Sequence, residues 1–243
     1  MTWSSTRHSV SSMPKTFVLV NADDFGLTTG VNAGTLESHL NGIVNSATMI
    51  MNGYAVEEAV RLAKQHPSLR VGVHLVLSWG KPLADTSAPL TKEDGTFRYT
   101  SRFLTEDSPD PELVYLEWKA QIEAFLATGL PLDHLDSHHH IHGWPVLHDV
   151  IIRLAEEYDT TFRALTTLGS RRDLWVTERF SDQFYADGVS HATLDAIEPG
   201  GSIEVMVHPA DLDDRLPSVT SYLEPRLLEK QVLVDYERPD WWA

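Results

Sequence analysis

A chain of 243 residues, 42% hydrophobic and 22% charged, is long enough for one large α/β domain and carries no compositional mark of disorder. Its formal charge of −16 at pH 7, with no run of Lys or Arg, argues against nucleic acid or an anionic membrane as partner. The absence of cysteine excludes disulfides, thiolate metal sites and a cysteine nucleophile, so any metal must sit on nitrogen and oxygen ligands.

Residues 1–12 are polar and lack the apolar core of a secretory signal, so they read as a dispensable, disordered extension ahead of a single domain, 13–243. No stretch approaches about 18 consecutive apolar residues, and the chain reads as cytoplasmic. Phe17 to Val20 is a short apolar run of the kind a strand buried on both faces shows. It ends in NADDFG, which puts Asp23 and Asp24 at a strand tip. Thr28 and Thr29 cap a helix from about Val31 to His39, closed by Asn41 and Gly42. A second strand covers Val44 to Met51, an amphipathic helix Ala55 to Gln65, and a third strand Val71 to Leu77, interrupted by His74. From Ser78 to Asp110 the pattern breaks into Gly, Pro, Asp and Thr with scattered aromatics, which suggests an insertion covering a substrate.

Pro111 opens a helix through Ala127 that Gly129 ends, and a fourth strand follows from Leu132 to Ser137. It leads into LDSHHHIHGWP, Leu135 to Pro145, with four histidines. If strand geometry continued, His138, His140 and His142 would share one face and His139 would take the other. Pro145 opens a helix to about Tyr158, and Thr161 to Leu165 is a fifth strand, interrupted by Arg163. Leu168 to Gly188 is irregular; Ser190 to Ile197 is a short helix; Ser202 to Val207 is a sixth strand ending in His208 and Pro209. Leu223 to Lys230 is helical, and DYERPDWWA at the end shows no pattern.

Strands alternating with helices imply a parallel sheet, and polar residues repeated at strand tips match the active-site face of a TIM-barrel-like (β/α) barrel. An open doubly wound sheet is the alternative, but NADDFG stands where its Gly-rich phosphate loop belongs. Taken singly, each tip has a structural reading: an Asx turn for Asp23-Asp24, a satisfied core histidine for His74, a turn for His208. A barrel brings them together. One carboxylate and two imidazoles from three strands would hold a divalent ion with positions left for water and a substrate oxygen, which implies a hydrolase. Side chains of adjacent aspartates diverge, so one serves as ligand and the other as general base.

NADDFGLTTGVNAGTLESHLNGIVNSATMIMNG, GVHLVLSWGKPL, HLDSHHHIHGWP and EVMVHPA resemble, in order and spacing, the YdjC-like carbohydrate deacetylases, and among these the chitooligosaccharide deacetylases. The resemblance covers about Phe17 to Lys230 and implies a distorted (β/α) barrel and removal of an N-acetyl group from N-acetylglucosamine units of short chitin oligosaccharides or their 6-phosphates. It implies Asp24, His74 and His138 as metal ligands, Asp23 as general base and His208 as general acid. It also implies magnesium as the ion, whereas the ligand types suit zinc or another transition metal. His139, His140 and His142 are left to support the ligands or contact substrate, and Asp136 to anchor one of them. Trp79, Trp144, Trp175 and Tyr185 are candidates to stack on sugar rings, Arg163 to meet an oxyanion, a phosphate or simply a buried acid, and Arg171 and Arg172 to read a phosphate. The partner expected is a small N-acetylated oligosaccharide, with a homodimer allowed. The chain departs from the family pattern after Lys230, where QVLVDYERPDWWA stands in place of a further helix and closing strand.

Two other readings compete. A phosphoesterase or cyclic amidohydrolase on a similar barrel commonly carries an HxH pair at the first strand's end, where this chain has two aspartates. A non-catalytic metal- or sugar-binding protein would have no need of a base and an acid beside the ligands.

Overall fold

The computed structural model describes residues 14–243, so the expected extension at 1–12 lies outside the described residues. Seven strands form, most of them buried on both faces: β1 (Phe17–Phe25), β2 (Ser46–Met49), β3 (Arg70–Leu75), β4 (His134–Ser137), β5 (Thr161–Phe162), β6 (Arg179–Ser181) and β7 (Ser202–Val207). All pair in parallel, in the order β5-β4-β3-β2-β1-β7-β6, and curl into a distorted half-barrel of the (β/α) type. Helices connect them: α1 (Thr29–Leu40), α2 (Val56–Gln65), α3 (Pro111–Leu126), α4 (His148–Glu157), α5 (His191–Asp195), α6 (Leu216–Val219) and α7 (Leu223–Asp235).

The expected count of six strands omits β6, which lies inside the stretch read as irregular. Its three half-buried residues offer neither an apolar run nor an alternation to read. The segment containing it bridges the barrel's open side. Trp175 pairs with Phe162 and the Val176 N–H donates to the Phe162 carbonyl at 2.9 Å, while Arg179–Ser181 farther along pairs with β7. The C-terminal residues add to β1 instead: Trp242 bridges Thr16, and the Ala243 N–H donates to the Thr16 carbonyl at 2.7 Å. Helix α7 also runs five residues past the expected end at Lys230, to Asp235.

The insertion between β3 and α3 is bound into the core along most of its length. Fully buried Glu117 of α3 accepts hydrogen bonds from the Leu83 and Ala84 N–H groups and the Ser87 hydroxyl, at 2.9, 2.8 and 2.6 Å. Leu90, Phe97, Tyr99 and Phe103 are buried, and the last two pack on Trp144 at ring separations of 5.7 and 5.5 Å. Apolar side chains that anchor an insertion in this way replace the mobility expected of a polar loop.

Helix α1 approaches the tip of β7 closely enough to require glycine. A Cβ at Gly34 would stand 2.3 Å from the Ala210 Cα, two residues beyond His208. Gly34→Ala is expected to lower stability by about 1–3 kcal/mol through overpacking. Urea denaturation checks this, and a midpoint equal to that of the unaltered protein would show that the contact yields freely.

Candidate active site

The tip of β1 is distorted where the two aspartates lie. Its register on β2 shifts between Ala22 and Phe25, and Asp24 takes a left-handed φ of 66°. A regular strand would send neighbouring side chains to opposite faces, but a bulge with one left-handed residue turns both into one cavity. Asp tolerates that conformation better than most residues, and such strain, about 1–3 kcal/mol, concentrates at functional sites.

Asp24 meets two imidazoles. Its Oδ1 lies 3.2 Å from His74 Nε2 and 3.0 Å from His138 Nδ1, and those two nitrogens are 3.4 Å apart. The three donor atoms fall within 4.8 Å of one another, a set that suits a divalent ion. Two of the three side chains are also anchored on the far side. His74 Nδ1 bonds Asp136 Oδ1 at 2.8 Å, and Asp24 Oδ2 is paired with Arg226. Asp23, His74 and Asp136 meet the same distance test. There, however, Arg163 engages both carboxylates and Asp136 holds the His74 nitrogen that faces it, so the first group fits an ion better.

Charge within this buried cluster is balanced by pairing. Burial disfavours the ionised form of Asp23, but Arg163, in a two-point contact at 2.6 and 2.8 Å, outweighs it and holds the carboxyl below its usual range. Asp24 is held well below that range too, the penalty of burial being overcome by Arg226 and His138. For His74, burial opposes protonation and Asp136 outweighs it, with a pKa pushed up to about 10.

His208, just past β7, faces the same cavity with Nε2 3.9 Å from Asp23 Oδ2. The cavity, about 430 Å³, is lined by Asp23, Asp24, His74, His138, His208 and Arg226, with Trp79, Tyr185, Tyr222 and His140 at its sides. The catalytic and ligand residues expected from the sequence are therefore brought together, as are the expected substrate contacts Trp79, Tyr185 and His140.

Other expectations are not met. The histidine run does not continue β4: the strand ends at Ser137, a 3-10 turn follows, and His139 and His140 take left-handed φ values of 57° and 56°. Alternation therefore cannot apply. His142 is fully buried away from the cavity, its Nδ1 2.5 Å from the Ser137 hydroxyl, and does not reach a substrate. Of the alternatives for Arg163 the buried acid is the one found: it lies behind the cavity wall, its guanidinium occupied by Asp23, Asp136 and Glu204. Trp144 is packed in the core, and Trp175 lines a separate cleft beside β6. Arg171 is held by Asp173 and Glu156 at 3.0 and 2.7 Å, and Arg172 lies over the Trp175 ring, neither of them at the cavity.

Sequence reading missed the residues that α7 and the turn before it supply: Tyr222, Arg226 and Glu229. A signal was present. Arg226, Glu229 and Leu233 have the i, i+3, i+7 spacing of a helix's inner face, and all are buried, so two charged residues occupy a stripe normally apolar.

Comparison with known proteins agrees with this geometry. A family model described as YdjC-like protein matches residues 17–243. A carbohydrate deacetylase of Oceanobacillus iheyensis is 46% identical over 226 residues, spanning 92% of this chain and 98% of its own. One from Brevibacillus brevis is 40% identical over 229 residues, covering 90% and 92%. Among solved structures, an Enterococcus faecalis protein for which cellobiose-phosphate cleavage has been suggested superposes with a TM-score of 0.82 at 34% identity, over 91% of each chain. Matched from the first strand to the last residue, the chain belongs to the YdjC-like protein family.

Proposed function

We propose that this protein is a metal-dependent carbohydrate deacetylase that removes the N-acetyl group from N-acetylglucosamine units of short chitin oligosaccharides. The observation that carries the reading is one cavity with a carboxylate–imidazole–imidazole donor set, an ionised aspartate beside it and a histidine opposite. An amide is a poor electrophile with a poor leaving group, so its hydrolysis needs an activated water, a polarised carbonyl and a protonated nitrogen. The names of the two bacterial relatives, both carbohydrate deacetylases, support the same chemistry.

A divalent ion held by Asp24, His74 and His138 would polarise the acetyl carbonyl and lower the pKa of water. Asp23, kept ionised by Arg163 and free of the donor set, takes the proton of the attacking water. His208, on the opposite side, gives a proton to the departing amine. Trp79 and Tyr185 line the cavity where sugar rings would stack, Tyr185 being 44% exposed and so accessible. Two imidazoles and one carboxylate suit zinc or another transition metal by ligand type, while the likeness to the family favours magnesium.

Asp23→Asn is expected to lower turnover of N,N′-diacetylchitobiose by about 10²–10⁴-fold, the usual worth of a general base, with metal content unchanged. Turnover equal to that of the unaltered protein would exclude Asp23 as base. Chelation is expected to abolish deacetylation, and one equivalent of a divalent ion to restore it; full activity in metal-free protein would overturn the metal requirement. Mass spectrometry of products from acetylated disaccharides, with and without 6-phosphate, reads the substrate directly. Loss of about 42 mass units from an N-acetylglucosamine-containing disaccharide is the expected result, that being the mass of the acetyl group less one hydrogen.

A further inference from the structure

The amine-protonating role of His208 leaves a chemical question: what keeps a buried imidazole protonated and correctly turned? Its Nδ1 has no hydrogen-bond partner among the described residues and lies 3.9 Å from Glu229 Oε1. Glu229 is fully buried on α7 and plays no part in holding the ion. Its Oε2 accepts the backbone N–H of His208, and its Oε1 accepts the Tyr222 hydroxyl at 2.7 Å. The Tyr222 oxygen in turn accepts the Ala186 N–H at 2.6 Å. Tyr222 stacks on Tyr185 at 4.2 Å with their planes 5° apart, and both rings stand edge-on to the imidazole at 5.8 and 5.6 Å. The carboxylate is thus fixed from two sides, and the imidazole is confined between it, the two tyrosines and Asp23.

We infer that Glu229 is the positioning residue of the proton donor: through Nδ1 it orients His208 and retains a proton on the pair, leaving Nε2–H to face the amide nitrogen. The inference rests on the deacetylase reading. A separation of 3.9 Å is too long for a hydrogen bond, but such contacts are often long in a free enzyme and tighten around the reacting substrate.

Charge considerations point the same way. Burial pushes His208 down to about 3, so an imidazole left to itself there would carry no proton to give at neutral pH. Burial pushes Glu229 up to about 8, against the hydrogen bonds from the His208 N–H and Tyr222. The groups around the pair are Asp23, Asp24 and His74 from the strands, Arg226 from α7, and Tyr185 and Tyr222 at the cavity wall. Asp23 favours a proton on either member; Arg226 disfavours one on either. A proton held on Glu229 beside Nδ1 can pass to the ring as the Nε2 proton leaves toward the amide nitrogen.

The step balances. Water oxygen bonds to the acetyl carbon as Asp23 takes one water proton. The C–N bond then breaks, its electron pair remaining on nitrogen, which takes the Nε2 proton of His208. Acetic acid and the amine leave, and the proton on Asp23 returns across the 3.9 Å to Nε2.

Glu229→Gln is expected to lower kcat on N,N′-diacetylchitobiose by about 10²–10³-fold with KM little changed, and to move the alkaline fall of kcat to lower pH. Glu229→Asp is expected to recover part of that loss and of the pH range. Histidine ¹⁵N NMR of the metal-loaded protein reads the same device without turnover: the His208 ring should share a proton with Glu229 and lose it at lower pH in Glu229→Gln. A Gln variant with unaltered pH profile and unaltered His208 titration would overturn the inference, whatever its rate. Failure of the unaltered protein to deacetylate any amide would instead overturn the deacetylase reading, while the titration still decides the role of Glu229.

Discussion

The guanidinium of Arg163 lies fully buried inside the barrel and bonds carboxylates from three other strands: Asp23 of β1, Asp136 of β4 and Glu204 of β7. Taking one ion out of water costs several kcal/mol, so such a group persists only where its charge and its donors are matched. Arg163 is the cation, Asp23 and Asp136 the anions, and Glu204, pushed up by burial against the pull of Arg163, most readily gives up its charge. Removing Arg163 would leave buried carboxylates facing one another. The ionised state of Asp23 and the fixed ring of His74, through Asp136, both depend on it.

From that network the two adjacent aspartates acquire different tasks. Asp23 turns back to Arg163 and cannot join the donor set without giving up its two-point contact; Asp24, turned by the left-handed backbone, faces His74 and His138. A second charged layer lies above the first. Arg226 holds the far oxygen of Asp24, while Glu229, one turn along α7, holds the backbone of His208. A helix late in the chain therefore supports both the ligand side and the donor side of the cavity, and α1 is pressed against the same β7 tip through Gly34.

What the sequence made legible follows from these physical arrangements. Short apolar runs announced the strands and placed Asp23, Asp24, His138 and His208 at or just past their ends and His74 near the end of the third, because parallel strands buried on both faces leave little other room for such groups. β6 carried no such signal, since an edge strand of three half-buried residues is defined by its pairing with β7 and not by its composition. The histidine run misled through density. Two left-handed residues break its periodicity, so that His138 faces Asp24, His140 borders the cavity and His142 is locked to Ser137. Arg163 left substrate and buried acid open as partners because nothing in a strand sequence tells whether an arginine faces solvent or carboxylates across a barrel, and the carboxylates proved to be three. Arg226 and Glu229 were hidden because charged residues on a helix are usually assigned to its wet face.

The central claim is that an ion belongs to Asp24, His74 and His138, leaving Asp23 free to accept a proton. Anomalous scattering from a crystal soaked in Mn²⁺ tests it most directly. The account predicts one strong peak bounded by Asp24 Oδ1, His74 Nε2 and His138, with Asp23 still paired to Arg163. A peak enclosed by Asp23, His74 and Asp136, or none in the cavity at saturating ion, would contradict it.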